Sequence, residues 1–225
     1  MPSLLSLAAS ALLLARSLHA HFTVQHPPII GPFNAEEEDS APCGGHSPDL
    51  NTLPANDFHV DGDAIATTLT HSQSTWLYRV TTDATASGNW TQIWGIVDQQ
   101  GAGAFCIPQI SVPHSFIGQK VILSIVSHAT DGFLYQCSAL NFVEGIATAP
   151  SDCRNGSNTQ GSFSSDAELT AMLGDGPVGS SASPSGSSPT DVPSGGTTTK
   201  PGGSEGRGVV FTVGLMAVLG SVLAV

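Results

Sequence analysis

The histidine at position 21 has the clearest chemical potential in the sequence, because processing would make it the first residue of the mature chain. A largely apolar run over residues 4–14 is followed by Leu18-His19-Ala20, which suits signal peptidase. An α-amine has a pKa of about 8, so it loses its proton at little cost when it binds a metal. The amine and the imidazole Nδ1 of one residue can chelate one ion, and a further imidazole gives three nitrogens in a T shape that suits Cu(II). Cleavage after Ala20 therefore predicts a copper ligand at His21.

A second histidine must complete such a set, and His71 is the best placed. It lies in Thr70-His71-Ser72, at a turn just before an apolar run over residues 75–80 that includes Trp76. A ligand at the end of a strand is held by a rigid sheet, which favours a preorganised site. Any single histidine is more often solvated or hydrogen-bonded in a core than a ligand. The other candidates in the mature chain are His26, His46, His59, His114 and His128.

A carboxylate is the other type of ligand to consider, and Asp131 is the candidate. It opens the segment Asp131-Gly132-Phe133, which leads into an apolar run carrying Tyr135 and Cys137. A turn alone explains an Asp-Gly pair, because both residues are common in turns. Tyr135 is a candidate axial neighbour of the ion, and a core position explains this tyrosine more simply.

The four cysteines predict two disulfides, because an even number in a secreted chain reads as a disulfide framework. Three pairings are possible from the sequence. We favour Cys106–Cys137 and Cys43–Cys153, since the second would tie the end of the domain back to its beginning. A zinc site with four thiolates is the alternative, but no CxxC spacing supports it.

The charge balance excludes some classes of partner. The chain of 225 residues has a formal net charge of −12, with 18 acidic and 6 basic residues. Nucleic acid and anionic membrane surfaces are therefore poor partners, whereas cations are attracted. Asn89-Trp90-Thr91 and Asn155-Gly156-Ser157 are sequons, and they predict N-glycosylation at Asn89 and Asn155.

Short apolar runs separated by turn residues indicate an all-β domain that would position these ligands. The clearest predicted strands cover residues 64–69, 75–80, 90–97, 121–126 and 133–142. Pro27, Pro28 and Pro32 make the opening segment extended and loop-like rather than a central strand. The pattern predicts an antiparallel β-sandwich of the immunoglobulin-like or fibronectin-like type.

The two ends predict secretion and a glycosylphosphatidylinositol (GPI) anchor. We expect a signal peptide over residues 1–20, the copper-binding sandwich over 21–154, a disordered Ser/Gly/Pro/Thr-rich stalk over 155–206 and a removed hydrophobic tail over 207–225. Ser194, in a run of small residues, is the expected attachment point. Within the stalk, residues 165–173 could form a helical turn. The expected location is the outer face of the plasma membrane or the cell wall.

Five motifs in order resemble one known family. They are His21 after the signal, Pro42-Cys43-Gly44-Gly45, Thr70-His71 with Trp76, Gly103-Ala104-Phe105-Cys106, and the segment from Asp131 to Cys137. Together with the tail they resemble the fungal copper-acquisition proteins related to lytic polysaccharide monooxygenases. The resemblance implies a monooxygenase-like sandwich and one copper ion, with ligands matching His21, His71 and Asp131. It also implies copper uptake or homeostasis at the cell surface without polysaccharide cleavage.

Three functions follow as hypotheses. The first is a Cu²⁺-binding surface protein that passes copper to a transporter in the plasma membrane. The second is a copper-dependent polysaccharide monooxygenase, which would need a flat aromatic face for stacking on glycans. The third is a structural wall mannoprotein without a metal. The carboxylate ligand and the small number of aromatic residues, three Trp and two Tyr, favour the first.

Overall fold

The computed structural model describes residues 21–174 as two β-sheets that face each other. The strands are β1 (Phe22–His26), β2 (Asn56–His59), β3 (Asp63–Leu69), β4 (Gln73–Thr81), β5 (Thr91–Gln92), β6 (Val97–Gln100), β7 (Gly103–Ile110), β8 (Lys120–Ala129), β9 (Gly132–Val143) and β10 (Gln160–Phe163). A 3₁₀ turn spans His114–Phe116, and one α-helix, α1, spans Ala167–Ala171. The smaller sheet has the order β1-β3-β7 and the larger one β10-β6-β4-β8-β9-β2, with β5 paired to β4.

This architecture confirms the predicted all-β sandwich. All strand pairs are antiparallel except β2 with β9, which run parallel. Between the sheets lies a core in which the rings of Phe22 and Trp76 meet edge to face at 5.0 Å. Such aromatic pairs add to the stability that burial of their large apolar surface provides.

The central strands of the larger sheet are buried on both faces, which explains their apolar sequences. Residues 121–126 of β8 are all buried. The inner face meets the core, and part of the outer face is covered by α1, whose Leu169 packs with Leu77 and Val126. A strand covered on both sides reads as a continuous apolar run rather than an alternating one.

The predicted strand over residues 90–97 is wrong in its extent. The structure has two short strands there, β5 and β6, separated by a bend that contains Trp94. The sequence analysis also missed β7 as a strand. The prediction for the opening segment is correct in one respect, because β1 is an edge strand of its sheet and ends at His26, before Pro27.

The folded domain extends further than residue 154. Strand β10 pairs with β6, and the helical turn expected near residues 165–173 is present as α1. Leu169 is fully buried and Leu173 nearly so. Residues 155–174 therefore belong to the domain rather than to the stalk. The signal peptide, the remainder of the stalk, Ser194 and the hydrophobic tail lie outside the described residues.

The structure corrects the disulfide pairing. Cys43 is bonded to Cys137 and Cys106 to Cys153, with Cα–Cα distances of 5.0 Å and 5.2 Å. Cys137 lies on β9 in the larger sheet and Cys106 on β7 in the smaller one, so the predicted pair Cys106–Cys137 would have to join different sheets. Each bond instead fixes an irregular segment to a nearby strand: the loop after β1 to β9, and the segment before β10 to β7.

Candidate metal site

The backbones of His21 and His71 lie close together because strand pairing places His21 beside Thr70, the residue before His71. Phe22 pairs with Leu69, so His21 lies next to Thr70, the residue before His71. The backbone nitrogen of His21 donates to Thr70 Oγ1 at 2.7 Å, and Thr70 N donates back to the carbonyl of His21 at 2.9 Å. His71 follows at the crossing between the two sheets, where β3 ends and β4 has not yet begun. The hydrogen-bonded ladder therefore holds both backbones in a fixed relation.

His71 and Asp131 are in direct contact. His71 Nε2 lies 2.5 Å from Asp131 Oδ1, and the two side chains are 8% and 28% exposed. Asp131 reaches this position from the tight turn between β8 and β9, in which Gly132 has a φ of 121° that favours glycine. Two ligands held at right angles about 2.0–2.2 Å from one ion would lie about 3 Å apart. The observed 2.5 Å is shorter than this and is the distance of a direct hydrogen bond, so the two atoms would have to separate slightly to share an ion.

The His21 side chain has a different partner, Glu38, which the sequence analysis did not identify. His21 Nδ1 lies 3.0 Å from Glu38 Oε2. Glu38 is 1% exposed, and its other oxygen accepts hydrogen bonds from Gln136 Nε2 at 2.8 Å and from the backbone N–H of Phe22 at 3.2 Å. Burial raises the pKa of Glu38 above its ordinary value, although these hydrogen bonds and His21 act in the opposite direction.

The loop that carries Glu38 is fastened to β9. The backbone N–H of Tyr135 donates to the carbonyl of Glu38 at 2.7 Å, and the Cys43–Cys137 disulfide adds a covalent link. Gly44 has a φ of 60°, and a Cβ there would collide with the carbonyl oxygen of Tyr135. The Pro42-Cys43-Gly44-Gly45 motif thus serves to bring the Glu38 loop against the sheet. A buried carboxylate in the run Glu36-Glu37-Glu38-Asp39 could not be singled out before the loop was placed.

The predicted ligands are not gathered around one point. In the described part of the chain, the one group of three His, Cys, Asp or Glu with ligand atoms all within 4.8 Å of one another is His128, Asp166 and Glu168. Asp166 contacts Nδ1 of His128 and Glu168 contacts Nε2, so the two carboxylates lie on opposite ring nitrogens. That geometry is typical of two ion pairs rather than of one ion.

The residues of the His21 end nevertheless fit a copper ion by their donor chemistry. Imidazole nitrogen and carboxylate oxygen are present, and His71 Nδ1 is buried without a hydrogen-bond partner among residues 21–174. An unpaired buried polar atom in a native structure calls for a functional explanation. The three ligand assignments stay predictions, and the geometry adds Glu38 as a fourth polar group at the same end of the sandwich.

The other histidines have separate surroundings. His26 and His59 both contact the buried carboxylate of Asp63, at 3.4 Å and 3.2 Å. His114 pairs with Asp61 on the surface, where the histidine is 66% exposed. His46 donates through Nε2 to the carbonyl oxygen of Pro32 at 3.0 Å.

Among the described residues, few aromatic rings are exposed near the predicted ligands. Trp76, Trp90, Tyr78 and Tyr135 are buried, and for Tyr135 this agrees with the core position that the sequence suggested. Trp94 is only partly buried and lies in a bend rather than on a strand. Phe33 is 41% exposed and stands edge-on to the His21 ring, with centroids 6.0 Å apart.

In residues 21–174, no helix has the length and apolarity needed to cross a membrane.

Comparison with known proteins identifies the family of the chain. Residues 19–158, more than half of the chain, match the family described as copper acquisition factor BIM1-like. The chain is also similar to the lytic polysaccharide monooxygenase-like protein X325 of Yarrowia lipolytica (strain CLIB 122 / E 150), at 28% identity over 179 residues. That match covers 75% of this chain and 66% of the relative, just under two thirds of its length. The chain therefore belongs to the BIM1-like copper acquisition factors, fungal proteins related to lytic polysaccharide monooxygenases, and this membership implies copper binding.

Proposed function

We propose that the mature protein binds one Cu²⁺ ion at the cell surface through the α-amine and imidazole of His21, the imidazole of His71 and the carboxylate of Asp131. The observation that carries this proposal is the pairing of His21 with Thr70, which brings the backbones of His21 and His71 close together, combined with the 2.5 Å contact between His71 and Asp131. The carboxylate adds negative charge to the nitrogen set. Negative charge favours Cu(II) over Cu(I), which suits carriage of the ion more than activation of oxygen.

Glu38 supports the first ligand in this proposal. Its buried carboxylate holds the ring of His21 at the end of the sandwich, and hydrogen bonds from Gln136 and Phe22 fix the carboxylate in turn. When Nδ1 of His21 takes up the ion, it leaves Glu38. Burial raises the pKa of Glu38, whereas a cation held by His21 would act in the opposite direction and favour the ionised carboxylate. After release of the ion, the ring of His21 would return to its hydrogen bond with Glu38. The pair therefore gives the His21 side chain a fixed position in the metal-free protein.

The decisive experiment compares two forms that differ by one residue at the N-terminus. One form begins at His21, and the other retains Ala20 and so has no free amine on His21. We expect isothermal titration to show one equivalent of tight Cu²⁺, and electron paramagnetic resonance to show one type-2 signal, only for the form that begins at His21. Equal binding by both forms would show that the amine is not a ligand.

The role we propose is copper acquisition by a protein held at the cell surface through a GPI anchor, with delivery to a transporter of the plasma membrane. Support comes from the family and from the acidic charge, which attracts cations. The alternative is a structural wall protein without a metal. Such a protein would bind copper equally weakly in the form that begins at His21 and in the form that retains Ala20.

Polysaccharide oxidation is the second candidate, favoured by the name of the Yarrowia relative and by the exposed Phe33 beside His21. We expect the copper-loaded protein with a reductant to release no oxidised oligosaccharides from cellulose, xylan or chitin. Among residues 21–174, Phe33 is the exposed aromatic ring that lies beside His21, and a single ring offers no broad stacking surface next to the predicted ligands. Mass-spectrometric detection of oxidised products that disappears in His71→Ala would establish the enzyme instead.

A further inference from the structure

An open apolar groove of about 270 Å³ lies on the side of the domain where β7 and β10 approach each other. Its walls include Trp94, Phe105, Ile107 and Phe163. Phe163 is 67% exposed, and its ring lies 5.9 Å from that of Trp94. Two aromatic rings on an open surface form an apolar patch, and such patches commonly mark a site of interaction or aggregation.

The strand that carries Phe163 makes this patch a site at which another chain could associate. Strand β10 is the outer strand of the larger sheet, and all four of its residues are exposed. An exposed edge strand presents unpaired backbone groups that can pair with another chain, and an aromatic side chain beside it adds apolar attraction. Proteins commonly cover or blunt such edges.

Asn155 also lines the groove, and it is the asparagine of a sequon. Its side chain is exposed, and Oδ1 accepts a hydrogen bond from the backbone N–H of Cys106 at 2.9 Å. This bond uses the amide oxygen and not Nδ2, which is the atom that carries the sugar in N-glycosylation. The amide is therefore held in a fixed orientation at the wall of the groove.

The backbone around Asn155 is fixed on both sides. The Cys106–Cys153 disulfide lies two residues before it, and the N–H of Gly156 donates to the carbonyl of Ala104 at 2.8 Å. A sugar attached at Asn155 would start from a rigid base next to Trp94 and Phe163. Asn89, the other sequon asparagine, does not line this groove.

We propose that the N-linked glycan on Asn155 folds back into this groove, where its first N-acetylglucosamine packs against Trp94 and Phe163. The C–H groups on the face of a sugar ring carry partial positive charge, and they are attracted to the negative face of an aromatic ring. The glycan covers the apolar patch and the free edge of β10. The glycan is thus a structural part of the domain, and its role is independent of copper.

The test removes this glycan without changing Asn155. The full chain is secreted from a yeast host as Ser157→Ala, which destroys the sequon, and as Ser157→Thr, which preserves it. Peptide mass spectrometry first measures the occupancy of Asn155. We expect high occupancy in the native chain and in Ser157→Thr. We expect Ser157→Ala to melt about 2–4 °C lower and to exchange amide hydrogens several-fold faster across residues 160–163.

Two further measurements identify the contact. In a Phe163→Ser background, loss of the glycan should leave the melting temperature nearly unchanged, because the aromatic partner is already gone. Trimming the native glycan to a single N-acetylglucosamine should preserve the melting temperature. The proposal would be overturned if Asn155 carried no glycan or if Ser157→Ala melted at the same temperature as the native chain. It would also be overturned if loss of the glycan lowered the melting temperature equally in the Phe163→Ser background, or if trimming the distal sugars lowered it.

Discussion

At the residue scale, the site is a set of paired polar groups rather than isolated ligands. His71 meets Asp131, and His21 meets the buried Glu38. The sequence analysis named His71 and Asp131 as candidate ligands of one ion, and the structure places their side chains in direct contact. The second pair was missed because four consecutive acidic residues, Glu36 to Asp39, look alike until the fold buries one of them.

Replacement of His71 tests the ligand assignment at this scale. We expect His71→Ala to weaken Cu²⁺ binding by at least about 100-fold, since one of three nitrogens is lost. Isothermal titration of the form that begins at His21 measures this change. The matched control is His114→Ala, because His114 also pairs with one aspartate but lies on the surface, at 66% exposure. Similar losses in the two variants, or a larger loss in His114→Ala, would contradict the assignment.

At the scale of elements, the composition of residues 155–174 predicts a disordered stalk, although the segment is folded. Residues 155–174 are rich in small and polar residues, yet β10 extends the larger sheet and α1 covers its outer face. Asp166 caps the helix by accepting from the N–H groups of Glu168 and Leu169. Arg79 strengthens the contact by donating to the carbonyl of Met172 at 2.7 Å, and its burial lowers its pKa to about 10.

Truncation tests this boundary. A chain that ends at residue 174 should unfold like the full-length mature protein, whereas one that ends at residue 154 should be strongly destabilised. The shorter chain loses Leu169 and Leu173 and exposes Leu77 and Val126; burial of a single leucine contributes about 2–5 kcal/mol. Urea denaturation of both chains measures the difference. Equal midpoints would place residues 155–174 in the stalk after all.

At the scale of the whole molecule, Asp63 links both sheets. Its carboxylate contacts His26 on β1 and His59 on β2, and it accepts from the backbone N–H groups of His59 and Ala64. Burial alone would raise the pKa of Asp63, but the hydrogen bonds from His26, His59 and Ala64 outweigh it and lower the pKa. The two disulfides act at the same scale, since each fixes an irregular segment to one of the sheets.

The lowered pKa predicts how stability depends on pH. A carboxyl group with a pKa lower in the folded than in the unfolded state stabilises the fold above its unfolded pKa, about 3.9, and this stabilisation is lost as the pH falls through the folded pKa. We expect Asp63→Asn to be less stable at pH 7 and to lose less further stability below pH ~4. Thermal melts from pH 7 to pH 2 measure both effects. Asp152→Asn, a control at an exposed position, should show the same dependence of melting temperature on pH as the native chain. If the melting temperature of Asp63→Asn fell with pH in parallel with that of the native chain, the proposed role of the Asp63 carboxylate would be contradicted.

The sequence by itself determined the class of fold and the resemblance to the family, and it named His71 and Asp131 as candidate ligands. These depend on local signals: apolar runs, turn residues and short motifs, whose meaning does not change with distant contacts. Only the tertiary structure decided the disulfide pairing, the extent of the domain and the partner of His21. Each of these depends on which distant segments lie together: Cys43 with Cys137, Leu169 with Leu77, and Glu38 with His21. Burial of one carboxylate among four is a consequence of packing, and no spacing along the chain encodes it.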